Sequence, residues 1–267
     1  AKANDPDCYL VGEAWTDEAT ILTLYESGID SLFNFPASDS TGRFVKAALS
    51  GKSSTVSAAQ ADWNARIRAV SPTSVDAPFV SNHDMARARG MLRSKVPNEK
   101  AAALLYLLMP GVPTVYYGEE LGMSGSGSDE NKRLPMVWSS DAATQCKAPA
   151  AADQAQRLTD GVAEQDSDPD SLLNWYRQLI ALRNLAPELT RGEMTALDGG
   201  NDAICAYTVT DAGSTVAIIS NVSQKDMLTV SLDVLRGAEL LGSIGGAAFA
   251  DGTANLPPLS GIIVRLP

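Results

Sequence analysis

Two acidic side chains and the only histidine of the chain stand where apolar runs stop: Glu13 follows CYLVG, and Asn82-His83-Asp84 follows APFVS. Carboxyl and imidazole groups are the side chains that most often trade protons in catalysis, and in α/β barrels the reactive groups sit just past the C-terminal ends of strands. Each residue also has an ordinary alternative. Glu13 could cap the helix that follows it, Asp84 could be the N-cap of the next segment, and a lone histidine is more often a satisfied core or surface residue.

The elements that must position these groups follow from periodicity. Apolar runs at residues 8–12, 29–33 and 77–81 read as strands, each followed by a helical pattern, at 17–25, 41–49 and 99–108. A fourth strand is expected over 113–116, and an amphipathic helix over 171–185 closes the region. Almost wholly apolar strands alternating with amphipathic helices point to a parallel sheet buried on both faces. Four such units are too few to close a barrel of eight, and the sheet would carry raw edges. After Pro187 the texture changes to short β-rich runs, AICAYTV, STVAIISNV, MLTVSLDV, AELLGSI and GIIVRLP, separated by turn residues at 198–201, 211–213 and 245–246. These read as antiparallel strands, with a boundary near residue 190. Residues 141–170, rich in Ala, Asp and Gln, read as a long surface excursion.

With 21 Lys and Arg against 32 Asp and Glu, the chain carries a net charge of -11 and gathers no basic face, which argues against nucleic acid. The longest apolar run, residues 101–109, is broken by Pro110, Gly111 and Pro113 and is too short to cross a bilayer. Cys8, Cys146 and Cys205 are widely spaced and lack CxxC spacing, so neither a disulfide framework nor a zinc site is indicated. The opening AKANDPDCYL has neither the basic nor the apolar region of a signal peptide. Asn221-Val222-Ser223 is a glycosylation sequon by pattern only.

Five blocks in order resemble glycoside hydrolase family 13, the α-amylase family: YLVGEAW, FVSNHD, PGVPTVYYGEELGM, DENKRLPMVW and DSLLNWYRQLIALRNLAPEL. They are similar to barrel strand five, strand seven, strand eight with its loop, the loop region after it, and the final barrel helix. The resemblance implies an α/β plus all-β fold. Residues 1–189 would be the C-terminal half of a (β/α)8 TIM barrel, strands five to eight, and residues 190–267 an antiparallel β-sandwich covering it. It also implies roles. Glu13 would be the general acid/base, Asp84 the carboxylate that stabilises the transition state, and His83 a ligand of sugar hydroxyls, with Asn82 beside it at the substrate. Arg87 matches an arginine near the substrate cleft of glucosidase branches, Tyr117 and Arg133 would line the cleft mouth, and Trp15 would stack on a sugar. The alternatives stay open: a solvated helix arginine, a core tyrosine, an Arg133 paired with Asp129 or Glu130, and a buried structural tryptophan.

The family's blocks at strands three and four, with the nucleophilic aspartate, have no counterpart here. The expectation is a C-terminal portion of a longer hydrolase, inactive alone. Its partners would be an α-linked glucose oligo- or polysaccharide and the missing N-terminal half of the barrel, with self-association through the open barrel edge as another way to cover it. No cofactor is expected in this chain, and the calcium site of many members would lie upstream. In a retaining mechanism Glu13 needs a raised pKa, for which an apolar wall at Trp15 and nearby carboxylates are the expected source. The second reading is a non-catalytic glycan-binding or structural relative. Such relatives usually lose the catalytic carboxylates, and both are present here. The acidic balance is similar to that of secreted or cell-surface bacterial amylases.

Overall fold

The computed structural model describes residues 1–156 and 158–267. The first apolar runs form a parallel sheet of β1 (Val11–Gly12), β2 (Ser31–Phe33) and β3 (Val75–Ala77), in that order, with Gly12 opposite Leu32 and Phe33 opposite Ala77. Helix α1 (Glu18–Leu24) links the first two strands and starts at Asp17, whose carboxylate accepts from Thr20 N at 3.0 Å. Between β2 and β3 run two helices, α2 (Arg43–Ser50) and α3 (Ser54–Val70), where only the first is legible as an apolar periodicity. Helix α3 hides because its inner face mixes Val56, Trp63 and Ile67 with buried Ser57, Gln60 and Asn64.

Those polar residues meet Asp76, which is 2% exposed in the middle of β3. Its carboxylate accepts from Asn34 Nδ2 at 2.7 Å, Gln60 Nε2 at 2.6 Å and Trp63 Nε1 at 3.0 Å. A buried charge is tolerated only when so surrounded, and burial still pushes its pKa up. The expected strand at 77–81 forms instead at Val75–Ala77: it ends before Pro78, which has no N–H for a ladder, and Asp76 interrupts the apolar run by which it would have been read. The expected strand at 113–116 is not a regular strand. The segment lies extended beside β3, with Val112 N bonded to Asp76 O and Thr114 N to Pro78 O, both at 2.9 Å, but Pro113 has no N–H to give. Gly111, at φ +114°, permits the approach: a Cβ there would stand 2.2 Å from Asp76 O.

Short α4 (Ala88–Met91) precedes α5 (Val96–Leu108), which is buried throughout from Ala101 to Leu108. After α6 (Asp129–Lys132) the chain makes its excursion, which includes α7 (Val162–Ser167) and leads to α8 (Leu172–Asn184), N-capped by Ser171. Arg183 of α8 fixes the end of α5 by donating to the carbonyls of Leu107, Met109 and Gly111. Helix α9 (Glu188–Arg191) ends the helical part.

The rest is antiparallel. Strands β4 (Glu193–Leu197), β5 (Ile204–Asp211), β6 (Ser214–Asn221), β11 (Ser260–Arg265) and β8 (Glu239–Ile244) form one sheet in the order 4-5-6-11-8. A second sheet has the order β7 (Leu228–Ser231), β10 (Thr253–Leu256), β9 (Ala248–Ala250). The larger sheet is buried on both faces. Ile204, Ala206, Ala217, Ile219, Ile262 and Val264 pack on the second sheet, while Cys205, Tyr207, Val209, Val216, Ile218 and Ile263 belong to the helical core. Alternation of two residues per repeat thus serves two cores at once. Tyr207 Oη closes the seam by donating to Leu108 O at 2.7 Å.

The three cysteines are free. The sequon is a structural amide: Asn221 is fully buried and its Nδ2 donates to the carbonyls of Asp226, Leu256 and Pro257. Among the described residues no helix is long and apolar enough to cross a membrane.

Candidate active site

Glu13 leaves β1 and meets the turn that leaves the β3 segment. Asn82 joins them: its Nδ2 donates to Glu13 Oε1 at 3.2 Å, and its Oδ1 accepts from the backbone N–H groups of Asp84 and Met85, both at 2.9 Å. An asparagine that folds its own turn in this way dictates where the next side chains point. Asn82 therefore shapes the site with an amide already committed to protein partners. His83 Nε2 lies 3.3 Å from Asp84 Oδ2, and Arg133 donates to Asp84 Oδ1 at 2.8 Å. Lys132 donates to Asp84 O at 2.8 Å from the end of α6. The carboxylate of Asp84 is thus oriented from two sides, while His83 and Arg133 remain about half exposed, at 49% and 43%.

Neither carboxylate is a helix cap. Asp17 caps α1, and α4 starts at Arg87 with no side-chain cap. Arg133 pairs with Asp129 as well, at 3.6 Å, but its shorter contact is to Asp84. Trp15 is exposed at 58%, with one ring face stacked on Phe35 at 5.3 Å and 14°. Phe35 in turn meets Phe79 edge-on at 5.1 Å. The apolar wall expected around Glu13 is open, since Glu13 itself is exposed. Tyr117 is partly exposed and donates through Oη to Leu134 O at 2.8 Å, so it lines the loop rather than the core.

Arg87 requires a correction. It is 1% exposed, neither a solvated helix arginine nor a group facing the cleft. Its guanidinium lies 4.6 Å from the centroids of both the Tyr116 and Tyr117 rings and donates to Tyr117 O at 2.6 Å, with a longer bond to Leu134 O. Burial pulls its pKa down, and two aromatic faces and a carbonyl make up for lost water. Its work is to clamp the loop after residue 116. Arg87→Lys, which keeps charge but loses the planar stack, is expected to cost about 2 kcal/mol of stability. Urea unfolding checks this, and an unchanged midpoint would show that the stacked guanidinium does not hold the loop.

Sequence reasoning missed Glu119. It lies in YYGEELGM, where an acidic pair interrupts apolar residues, and that interruption was the available signal. Glu119 is 5% exposed and accepts from Ser81 Oγ at 2.8 Å, Tyr106 Oη at 2.8 Å and Tyr176 Oη at 2.9 Å. Ser81 is the residue before the Asn82 turn, so this buried carboxyl ties the site to α5 and α8. Burial raises its pKa to about 7 against the pull of the three hydroxyls. Among the described residues no group of three or more His, Cys, Asp or Glu is placed to hold a metal ion.

An open pair of oriented carboxyl groups at strand ends, with an exposed histidine, arginine and aromatic face around them, fits recognition of a polyhydroxylated ligand. The family model of the alpha amylase catalytic domain matches residues 1–192. The chain is 28% identical over 269 residues to Alpha-amylase 3 of Dictyoglomus thermophilum, a match that covers 100% of this chain and 53% of that protein. Its fold superposes on that of Eubacterium rectale Amy13B with a TM-score of 0.91 at 34% identity, covering 100% of this chain and 54% of the other. For the alpha-amylase from H. orenii the TM-score is 0.86 at 25% identity, covering 100% and 55%. The chain spans about half the length of these relatives. The parallel sheet with its helices and the antiparallel sheets behind it are therefore the C-terminal half of a (β/α)8 barrel with its β-domain, and the chain belongs to the α-amylase family, glycoside hydrolase family 13.

Proposed function

We propose that this chain carries two of the three carboxylates of a retaining hydrolase of α-linked glucans or glucosides. The observation that carries the reading is Asn82, whose single amide holds Glu13 and sets the backbone of Asp84. In such a mechanism a carboxylic acid protonates the leaving oxygen while a second carboxylate, about 5 to 5.5 Å away, attacks the anomeric carbon. Glu13 is the acid and later the base. Asp84, oriented by Arg133, hydrogen-bonds sugar hydroxyls more strongly as positive charge develops on the ring, which is binding energy realised in the transition state. His83 orients the same sugar, and the free face of Trp15 offers it a stacking surface. The nucleophile belongs to the upstream half of the barrel, which residues 1–189 complete, and residues 190–267 cover the helices.

Losing one member of a catalytic unit typically costs many orders of magnitude in rate. The isolated chain is accordingly expected to leave maltooligosaccharides intact, whereas the full-length gene product hydrolyses them; reducing-end assays on both check this. Turnover by the pure chain, abolished by Glu13→Gln, would refute the need for an upstream nucleophile. A full-length product that bound maltoheptaose in calorimetry without cleaving it would instead identify a non-catalytic glycan-binding relative.

A further inference from the structure

We propose that residues 153–156, inside the long excursion that follows α6, form a strap that positions Arg133 on Asp84, with Asn131, Gln154 and Gln156 as positioning residues for the glycosidic reaction. The proposal rests on the reading of Asp84 given above. Gln156 takes both backbone groups of Ser124: the Ser124 N–H donates to Oε1 at 3.1 Å, and Nε2 donates to Ser124 O at 2.5 Å. Gln154 does the same to Ser126, at 3.2 and 3.0 Å. Along an extended chain the N–H and C=O groups of residues i and i+2 share one edge, so two primary amides spaced two residues apart read that edge as a neighbouring strand would. The loop after residue 122 thereby gains a ladder without a partner strand.

Asn131 locks the other side. It is 1% exposed, and its Oδ1 accepts from Asp153 N at 3.1 Å and Gln154 N at 3.0 Å. Its Nδ2 donates to Ser126 O at 3.0 Å and to Asp153 Oδ1 at 2.6 Å, so every hydrogen-bonding position of the amide is occupied. The next two residues are Lys132 and Arg133, the pair that grips the backbone and the carboxylate of Asp84. Asp84 and Arg133 are 35% and 43% exposed, and an ion pair in such contact with water holds its geometry only if the backbone beneath it is fixed. A long arginine on an unpinned loop would instead spread over its rotamers. Gln154 is exposed and Gln156 partly so, and neither adds an apolar side chain to the core. Their contribution to folding is small, and their effect is directed at the loop they hold.

A double-mutant cycle in the full-length gene product tests this. Gln154→Ala with Gln156→Ala is expected to lower kcat about tenfold with KM nearly unchanged and the unfolding midpoint within a degree or two, because displacing a catalytic group slightly costs turnover before binding. Arg133→Ala is expected to lower kcat by more. Adding the two glutamine changes to Arg133→Ala should then cost less than twofold, since the strap acts through Arg133. Multiplicative losses, or an unchanged kcat in the glutamine variant, would overturn the strap. Asp84→Asn serves as the control: if it keeps full activity, the reading of Asp84 itself fails, and that failure is told apart from one in which Asp84→Asn is inactive but the glutamine variant is not. Asn131→Ala would not isolate the strap, because removing a buried amide with four bonds endangers folding in its own right.

Discussion

On the proposed reading, Glu13→Gln in a protein that joins this chain to the other half of the barrel is expected to lower kcat on maltooligosaccharides by about 10²- to 10⁴-fold, the range over which positioned proton donors contribute. Glutamine keeps an acceptor for Asn82 Nδ2, so the turn at residues 82–85 and the fold should stand. On the proposed reading, what is lost is the proton for the leaving oxygen and, in the second step, the base for water. A nitrophenyl α-glucoside has a leaving group that departs without protonation, so its kcat/KM, which reports the first step, should suffer far less than that of maltotriose, while its kcat still falls for want of the base in the second step. Parallel kinetics on the two substrates check the assignment. Equal losses of kcat/KM on both would make Glu13 a binding or structural group, and no loss on either would remove it from the site.

The second large effect concerns Glu119 and pH. Its folded-state pKa of about 7 lies above the ordinary 4.5, chiefly because the carboxylate is buried. Between those values the folded chain holds a proton that the unfolded chain has released. Stability is therefore fully present below about pH 4.5 and falls as pH rises through 7, by about 3 kcal/mol in all. Glu119→Gln presents the same shape without a charge, and Ser81 Oγ can accept from its amide. Buried Asp76 and Glu99 shift in the same direction, so the informative quantity is the difference between wild type and Glu119→Gln. Urea unfolding at pH 5 and pH 8 should show wild type losing ground to the variant as pH rises. Parallel behaviour of the two proteins would mean that Glu119 is already ionised in the folded chain. Ser81, which donates to this carboxyl, is the residue before Asn82.

What could be read without coordinates has a common character: it lies in runs of neighbouring residues. Apolar stretches separated by turn residues marked β1, β2, β5, β6 and β11, heptad-like spacing marked α8, and Glu13 and Asn82-His83-Asp84 stood out because polar groups abruptly end apolar runs. Periodicity failed where a buried face is polar, as in α3 with Gln60 and Asn64, or where a charge sits inside a strand, as at Asp76. It also failed at β4, β9 and β10, short strands without an apolar run of their own.

The site divides the same way. The chemical types of Glu13, His83 and Asp84 are local facts of the chain, whereas their partners are distant in sequence. Arg133 reaches Asp84 across 49 residues, Ser81 reaches Glu119 across 38, and Gln156 reaches Ser124 across 32. Arg87 shows the reverse case, three residues from Asp84 yet turned inward between two tyrosine rings. Side-chain direction depends on which neighbours exclude water, and that is settled only when the segments meet. Composition and spacing could therefore name the carboxyl groups, but which arginine serves Asp84 and which is buried in the loop was decided by packing.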